Sequence, residues 1–170
     1  MTTKNELASK MVGRPVDFKV PKAPCKPGSI VLDIKNLTVL KEKKLPAVNN
    51  FSLDVRAGEI VGIAGVDGNG QSELVYALAG LMPAEAGQVL LDGKDITKMS
   101  IRERAEAGLG HVPEDRQKHG LVLQYSIAEN TVIKSYYTKS FQKHGFLLRD
   151  KINAFAKKIA DGFDVRSGQG

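Results

Sequence analysis

A chain of 170 residues, 42% hydrophobic and 26% charged, has room for one globular domain and a short tail, with the balance of an ordinary water-facing fold. Its longest apolar runs, residues 60–66 and 74–82, fall short of the roughly eighteen residues a bilayer crossing needs, and no apolar stretch opens the chain as an export signal would; a cytoplasmic protein is expected. The net charge of +6 is concentrated in residues 1–28, with six Lys/Arg against two Asp/Glu, and the lone aromatic there, Phe18, does not make the interleaved series a nucleic-acid stacking platform requires, so nucleic acid is not an expected partner.

Residues 1–28 read as a unit apart from the rest. Thr3 and Glu6 have capping-box spacing before a short helix stopped at Gly13. Pro15, Pro21, Pro24 and Pro27 then predict an extended, weakly ordered connection. Cys25, the single cysteine, is expected to be an exposed thiol of that connection. His111, His119 and His144 lack ligand spacing, and no metal is expected at them.

From Ser29 the pattern changes. Ile30, Leu32 and Ile34 alternate with polar residues, and so do Phe51, Leu53 and Val55; two half-buried strands joined by a charged turn at residues 41–44 predict an antiparallel pair. Residues 59–66 are nearly all apolar, the composition of a strand buried on both faces of a parallel sheet. A glycine-rich turn follows, then helical spacing over residues 72–81. Strands are predicted at 88–91 and 109–112, with a helix at 101–107 between them. Ser126 and Glu129 form another capping box, and residues 150–161 carry a helical apolar stripe.

The chemistry sits in Gly65-Val66-Asp67-Gly68-Asn69-Gly70-Gln71-Ser72. This run matches the G-x-x-x-x-G-K-[ST] phosphate loop at every position but one. Glycines allow the positive-φ turns that curl amides around a phosphate, the following helix adds its positive dipole end, and a Ser72 hydroxyl suits magnesium. Gln71 stands where lysine is expected. Its amide donates a hydrogen bond but carries no charge, which predicts weak nucleotide holding and poor hydrolysis. On these residues alone, a phosphate site and a purely structural strand-to-helix turn both stay open.

Three segments carry a family resemblance: FSLDVRAGEIVGIAGVDGNGQSELVYALAG, AGQVLLDGKDIT and GLGHVPEDRQKHGLVLQYSIAEN. Residues 29–170 resemble the first part of an ABC transporter ATPase cassette, and more narrowly the second cassette of the two-cassette ATPases of bacterial simple-sugar and nucleoside importers. ELASKMVGRPV resembles the close of the first cassette, which makes residues 1–28 an inter-cassette tail and linker. The resemblance implies an α/β fold: a P-loop NTPase (ABC cassette) core, an antiparallel β subdomain, and a helical subdomain from about residue 121 that docks on a permease. It implies ATP and Mg2+ as ligands, with Gly65, Asp67, Gly68, Asn69, Gly70, Gln71, Ser72, Glu73 and Glu114 at the nucleotide and Ser72 at the metal. Glu114 aligns with the family's glutamine that meets magnesium and attacking water. The region around residues 39–42 lacks the aromatic residue that stacks on adenine in such ATPases. No Leu-Ser-Gly-Gly signature and no acidic strand end occur, so no catalytic residue is assigned and no hydrolysis by this chain alone is expected.

The implied function is that of an ATP-binding importer subunit, peripheral on the inner membrane face, coupling nucleotide binding and hydrolysis to sugar or nucleoside uptake. The alternative is a regulatory nucleotide-binding module that does not hydrolyse. Expected partners are transmembrane permease subunits, the first cassette of the same polypeptide and, indirectly, a solute-binding protein. A GTPase is not expected, because no Asn-Lys-x-Asp guanine motif occurs.

Overall fold

The computed structural model describes residues 3–15, 22–41 and 44–165. Parts of three expectations lie outside them: the proline-rich connection at 16–21, the charged turn at 42–43, and the end of the chain at 166–170. Helix α1, Lys4–Val12, starts at the Thr3–Glu6 capping box and ends on Gly13 at φ 76°, so the local signals decide both ends. Residues 22–28 have no regular secondary structure. They are tied to the domain: the exposed Cys25 thiol donates to the Gly58 carbonyl at 3.0 Å, and the Gly28 amide donates to Ala57 O at 3.0 Å.

The central layer is antiparallel. Strands β1 (Ile30–Leu40), β2 (Pro46–Arg56), β3 (Ala86–Leu91) and β4 (Lys94–Asp95) form a sheet in the order β2-β1-β3-β4. The β1–β2 register sets Ile34 opposite Leu53 and Val39 opposite Val48, and β3 pairs along the other edge of β1 with Val89 opposite Ile34. Ile34, Leu37, Val39 and Val89 are buried in one core; an irregularity in β1 between Ile34 and Leu37, with Asn36 at φ 51°, resets the alternation so that both sides of it face inward. Helix α2, Gln71–Ala79, packs on that core through Leu74 and Ala77. Burial of this shared apolar surface is the main force holding the helix to the sheet.

Two expected strands are not formed. Residues 59–66 carry no ladder and are largely exposed, with Ile60 at 98% and Val66 at 75%. Residues 109–112 are likewise unladdered. An interior strand depends on neighbours to bond its amides and cover its side chains. Among the described residues no strand is laddered to either run, although Leu109 packs against the core and the His111 carbonyl accepts from Lys134 at 3.2 Å.

Helix α3, Ile101–Glu106, is capped by Ser100 and Glu103 and held to α2 by Arg104. That guanidinium is 4% exposed. It donates to Ala77 O and Leu78 O at 2.8 Å, Thr97 O at 2.7 Å and Met99 O at 2.9 Å. Burial lowers its pKa, and a cation at the C-terminal carbonyls of α2 also meets the negative end of that helix. Beyond a π turn at Arg116–Gly120, α4 (Ile127–Val132) and α5 (Arg149–Gly162) pack together, with Val132, Ile152 and Ala156 buried. A short hairpin of β5 (Gln142–Lys143) and β6 (Phe146–Leu147) precedes α5. Its turn uses His144 and Gly145 at φ 51° and 86°, which the sequence reading missed.

Candidate functional site

The glycine-rich run forms a tight turn on top of α2. Gly68 and Gly70 have φ of 83° and 97°, a region that L side chains rarely occupy. Gly70 is also buried, and a Cβ there would collide with the Ala47 carbonyl. The turn is therefore seated directly on the start of β2. At Gly65 the constraint is different: the Gln71 side chain lies across its α-carbon, leaving no room for a Cβ.

Gln71 opens α2 and folds back over the turn, its Nε2 donating to Val66 O at 3.2 Å. Gly70 is the N-cap and provides no side-chain cap. The first intrahelical bond of α2 is Leu74 N to Gly70 O at 2.9 Å. No hydrogen bond among the described residues is donated by the amides of residues 67–72. A helix start normally satisfies its orphan amides with a side chain or water. Here successive N–H groups stand on a glycine turn at the positive end of a helix dipole, a geometry that suits an anion.

The sequence-assigned residues divide accordingly. Gly65, Asp67, Gly68, Asn69, Gly70, Gln71, Ser72 and Glu73 are brought together at this turn, with Asp67 and Asn69 exposed at its outer edge and Ser72 half-buried. Ser72 Oγ has no partner among the described residues, so its hydroxyl is available to a cation. Glu114 is exposed, in a bend before the π turn, and its carboxylate meets no described donor. Its neighbour Asp115 caps that π turn, accepting from the Gln117 amide at 3.0 Å and the Lys118 amide at 2.9 Å.

One participant was read from sequence as part of a charged turn, in the region where the family resemblance implies an adenine-stacking aromatic, and was given no role at the phosphates. Lys41, just past β1, reaches the loop: its Nζ is 3.1 Å from Gly68 O and 2.9 Å from Glu73 Oε1. The hydrogen bond from Lys41 holds the Glu73 carboxyl below its usual range, outweighing the opposing effect of burial. No sequence spacing announces this contact, since it depends on how the β1–β2 hairpin docks on the loop.

With this geometry in place, the comparisons decide the family. The ABC transporter family model matches residues 48–167. The chain belongs to the ABC transporter family. Within it, the chain is similar to the nucleoside import ATP-binding protein NupA of Lactococcus lactis subsp. cremoris, 48% identical over 96% of this chain and 32% of that protein. It is also 46% identical, over 98% of this chain and 32% of the relative, to the guanosine import ATP-binding protein NupO of Bacillus subtilis. The chain thus spans about a third of the length of these curated relatives. Among solved structures it resembles an ATP-binding cassette dimer in a post-hydrolysis state bound to ADP and Pi, with a TM-score of 0.62 and 20% identity over 80% of this chain and 58% of that one. The fold is therefore the ABC ATPase cassette of the P-loop NTPase class. No helix among the described residues is long and apolar enough to cross a membrane.

Proposed function

We infer that this chain is part of the ATP-binding subunit of an ABC importer for nucleosides, and that residues 65–73 are its polyphosphate site. The observation carrying this reading is the row of amides at residues 67–72 that have no acceptor among the described residues and sit on a glycine turn at the start of α2. The similarity to nucleoside and guanosine import ATP-binding proteins supports the solute class. Permease subunits, a solute-binding protein and a first cassette of the same polypeptide are the partners this reading entails, with residues 121–163 facing the permease.

The chemistry follows from the side chains. Phosphate oxygens accept from the loop amides, and the helix dipole lowers the cost of gathering their charge. The Ser72 hydroxyl would hold a magnesium ion brought with ATP, and such an ion would supply screening of the phosphate charge. Gln71 adds one neutral donor at the mouth of the loop. A charge-assisted bond is roughly twice as strong as a neutral one, so Gln71 makes this a degenerate loop: it binds ATP more weakly than a lysine-bearing one and hydrolyses it poorly.

Calorimetric titration of MgATP into the chain and its Gln71→Lys variant tests the assignment. The variant is expected to bind about tenfold more tightly. Equal affinity, or no binding by either protein, removes residues 65–73 as the nucleotide site.

A further inference from the structure

The loop lacks a cation at Gln71, yet a cation is present at the loop. It comes from a different element. Lys41 leaves the end of β1 in a turn closed by Lys41 N to Leu45 O at 2.7 Å and Lys44 N to Lys41 O at 3.2 Å. The same hairpin presents the Ala47 carbonyl against which Gly70 is seated. Hairpin and loop are thus fixed to one another by backbone packing at Gly70, and the Lys41 side chain spans the remaining gap to Gly68 O and Glu73 Oε1.

We propose that Lys41 is a phosphate-binding residue of this site, supplying from the β1–β2 turn of the same chain the positive charge that Gln71 does not provide. The proposal rests on residues 65–73 being the polyphosphate site. An ammonium has three donors; one is given to Gly68 O and one to Glu73, and the third has no acceptor among the described residues. Glu73 has a definite part in this arrangement. Standing in the first turn of α2, its carboxylate holds the ammonium at the rim of the loop while no anion is bound. A phosphate entering the cradle competes with Glu73 for the same cation.

A surface ion pair of purely structural use would share the Lys41–Glu73 distance, so the test reads phosphate binding directly. Inorganic tripolyphosphate and MgATP are titrated into the 170-residue chain at low salt, with Lys41→Gln, Glu73→Gln, Lys41→Gln/Gln71→Lys and Lys35→Gln variants in parallel. Lys35 pairs with Asp33 on the sheet and controls for net charge. Lys41→Gln is expected to weaken both ligands about tenfold, and Glu73→Gln to tighten them a few fold. Gln71→Lys in the Lys41→Gln background is expected to restore binding, and Lys35→Gln to leave it unchanged. Tripolyphosphate separates phosphate recognition from any contact with the base. The half-exposed Lys41 side chain makes misfolding of its variant simple to check by circular dichroism, and the restoring double variant guards against it. If the parent binds and Lys41→Gln binds equally well, this proposal falls while the phosphate site stands. If the parent binds neither ligand, both fall.

Discussion

Gly70 and Ala47 touch backbone to backbone: the α-carbon of the helix-capping glycine faces the carbonyl of the second residue of β2 with no room for a side chain. Through this contact the sheet sets the position of the phosphate loop, and the β1–β2 turn comes within reach of it. Two independent constraints coincide at one glycine, a φ of 97° and the approach of a carbonyl.

Gly70→Ala is therefore expected to cost at least about 1–2 kcal/mol from left-handed backbone alone, and more from displacing Ala47. Urea denaturation measures the loss. Gly13→Ala is the comparison, because Gly13 shares a positive φ but has nothing near its missing side chain. A similar cost at both positions would mean that the loop is not seated on β2.

Arg104→Met removes a buried cation serving carbonyls of α2 and of the Thr97–Met99 turn. Leaving those acceptors unpaired is expected to destabilise the chain by about 3 kcal/mol. Arg104→Lys recovers little of this, since an ammonium lacks the planar fork that reaches several carbonyls at once. The denaturant midpoint of both variants decides the matter; full recovery by lysine would contradict the role given to the fork.

The exposed apolar run gives a discriminating pair. Ile63→Ala is expected to change stability by less than about 0.5 kcal/mol, as a surface substitution does. Leu37→Ala, at a fully buried site, is expected to cost about 2–5 kcal/mol. A large loss at Ile63, measured in the same denaturant series, would show that residues 59–66 are covered in solution.

Asp95 gives a pH signature. Hydrogen bonds from Gln88, at 2.7 Å, and from the Thr97 hydroxyl and amide, at 2.6 and 2.8 Å, pull its pKa down to about 2. A folded-state pKa below the unfolded value of 3.8 means that the ionised form is favoured by folding. Its stabilisation is complete above the unfolded pKa and is lost as pH falls from there through about 2. Carbon-13 NMR titration of the Asp95 carboxyl is expected to show the low midpoint, and Gln88→Ala to raise it. An ordinary midpoint in the parent would remove the turn that these bonds define.

Much of this protein is written in short spans of sequence. The capping boxes at Thr3–Glu6 and Ser126–Glu129, and the helix they begin in each case, appear where the residues put them, because a cap is a contact across three residues. The alternation of Ile30–Leu40 and Pro46–Arg56 yields their antiparallel pairing, because period two and a connecting turn suffice. The glycine loop is legible for the same reason, and the family resemblance it carries agrees with the ABC transporter match over residues 48–167.

Other features depend on what lies far away along the chain. Residues 59–66 have the composition of an interior strand, but composition cannot supply neighbours, and no strand among the described residues pairs with the run, which stays exposed. Arg104 reads as one more charge on a short helix until the C-terminal carbonyls of α2 close around it. Lys41 is an ordinary turn lysine until the seat of Gly70 on Ala47 brings it to Gly68 and Glu73. Local conformational preference and motif spacing are properties of adjacent residues and can be read in order. The cation beside the loop is set by the docking of a hairpin on a helix start, a relationship that exists only once the chain has packed.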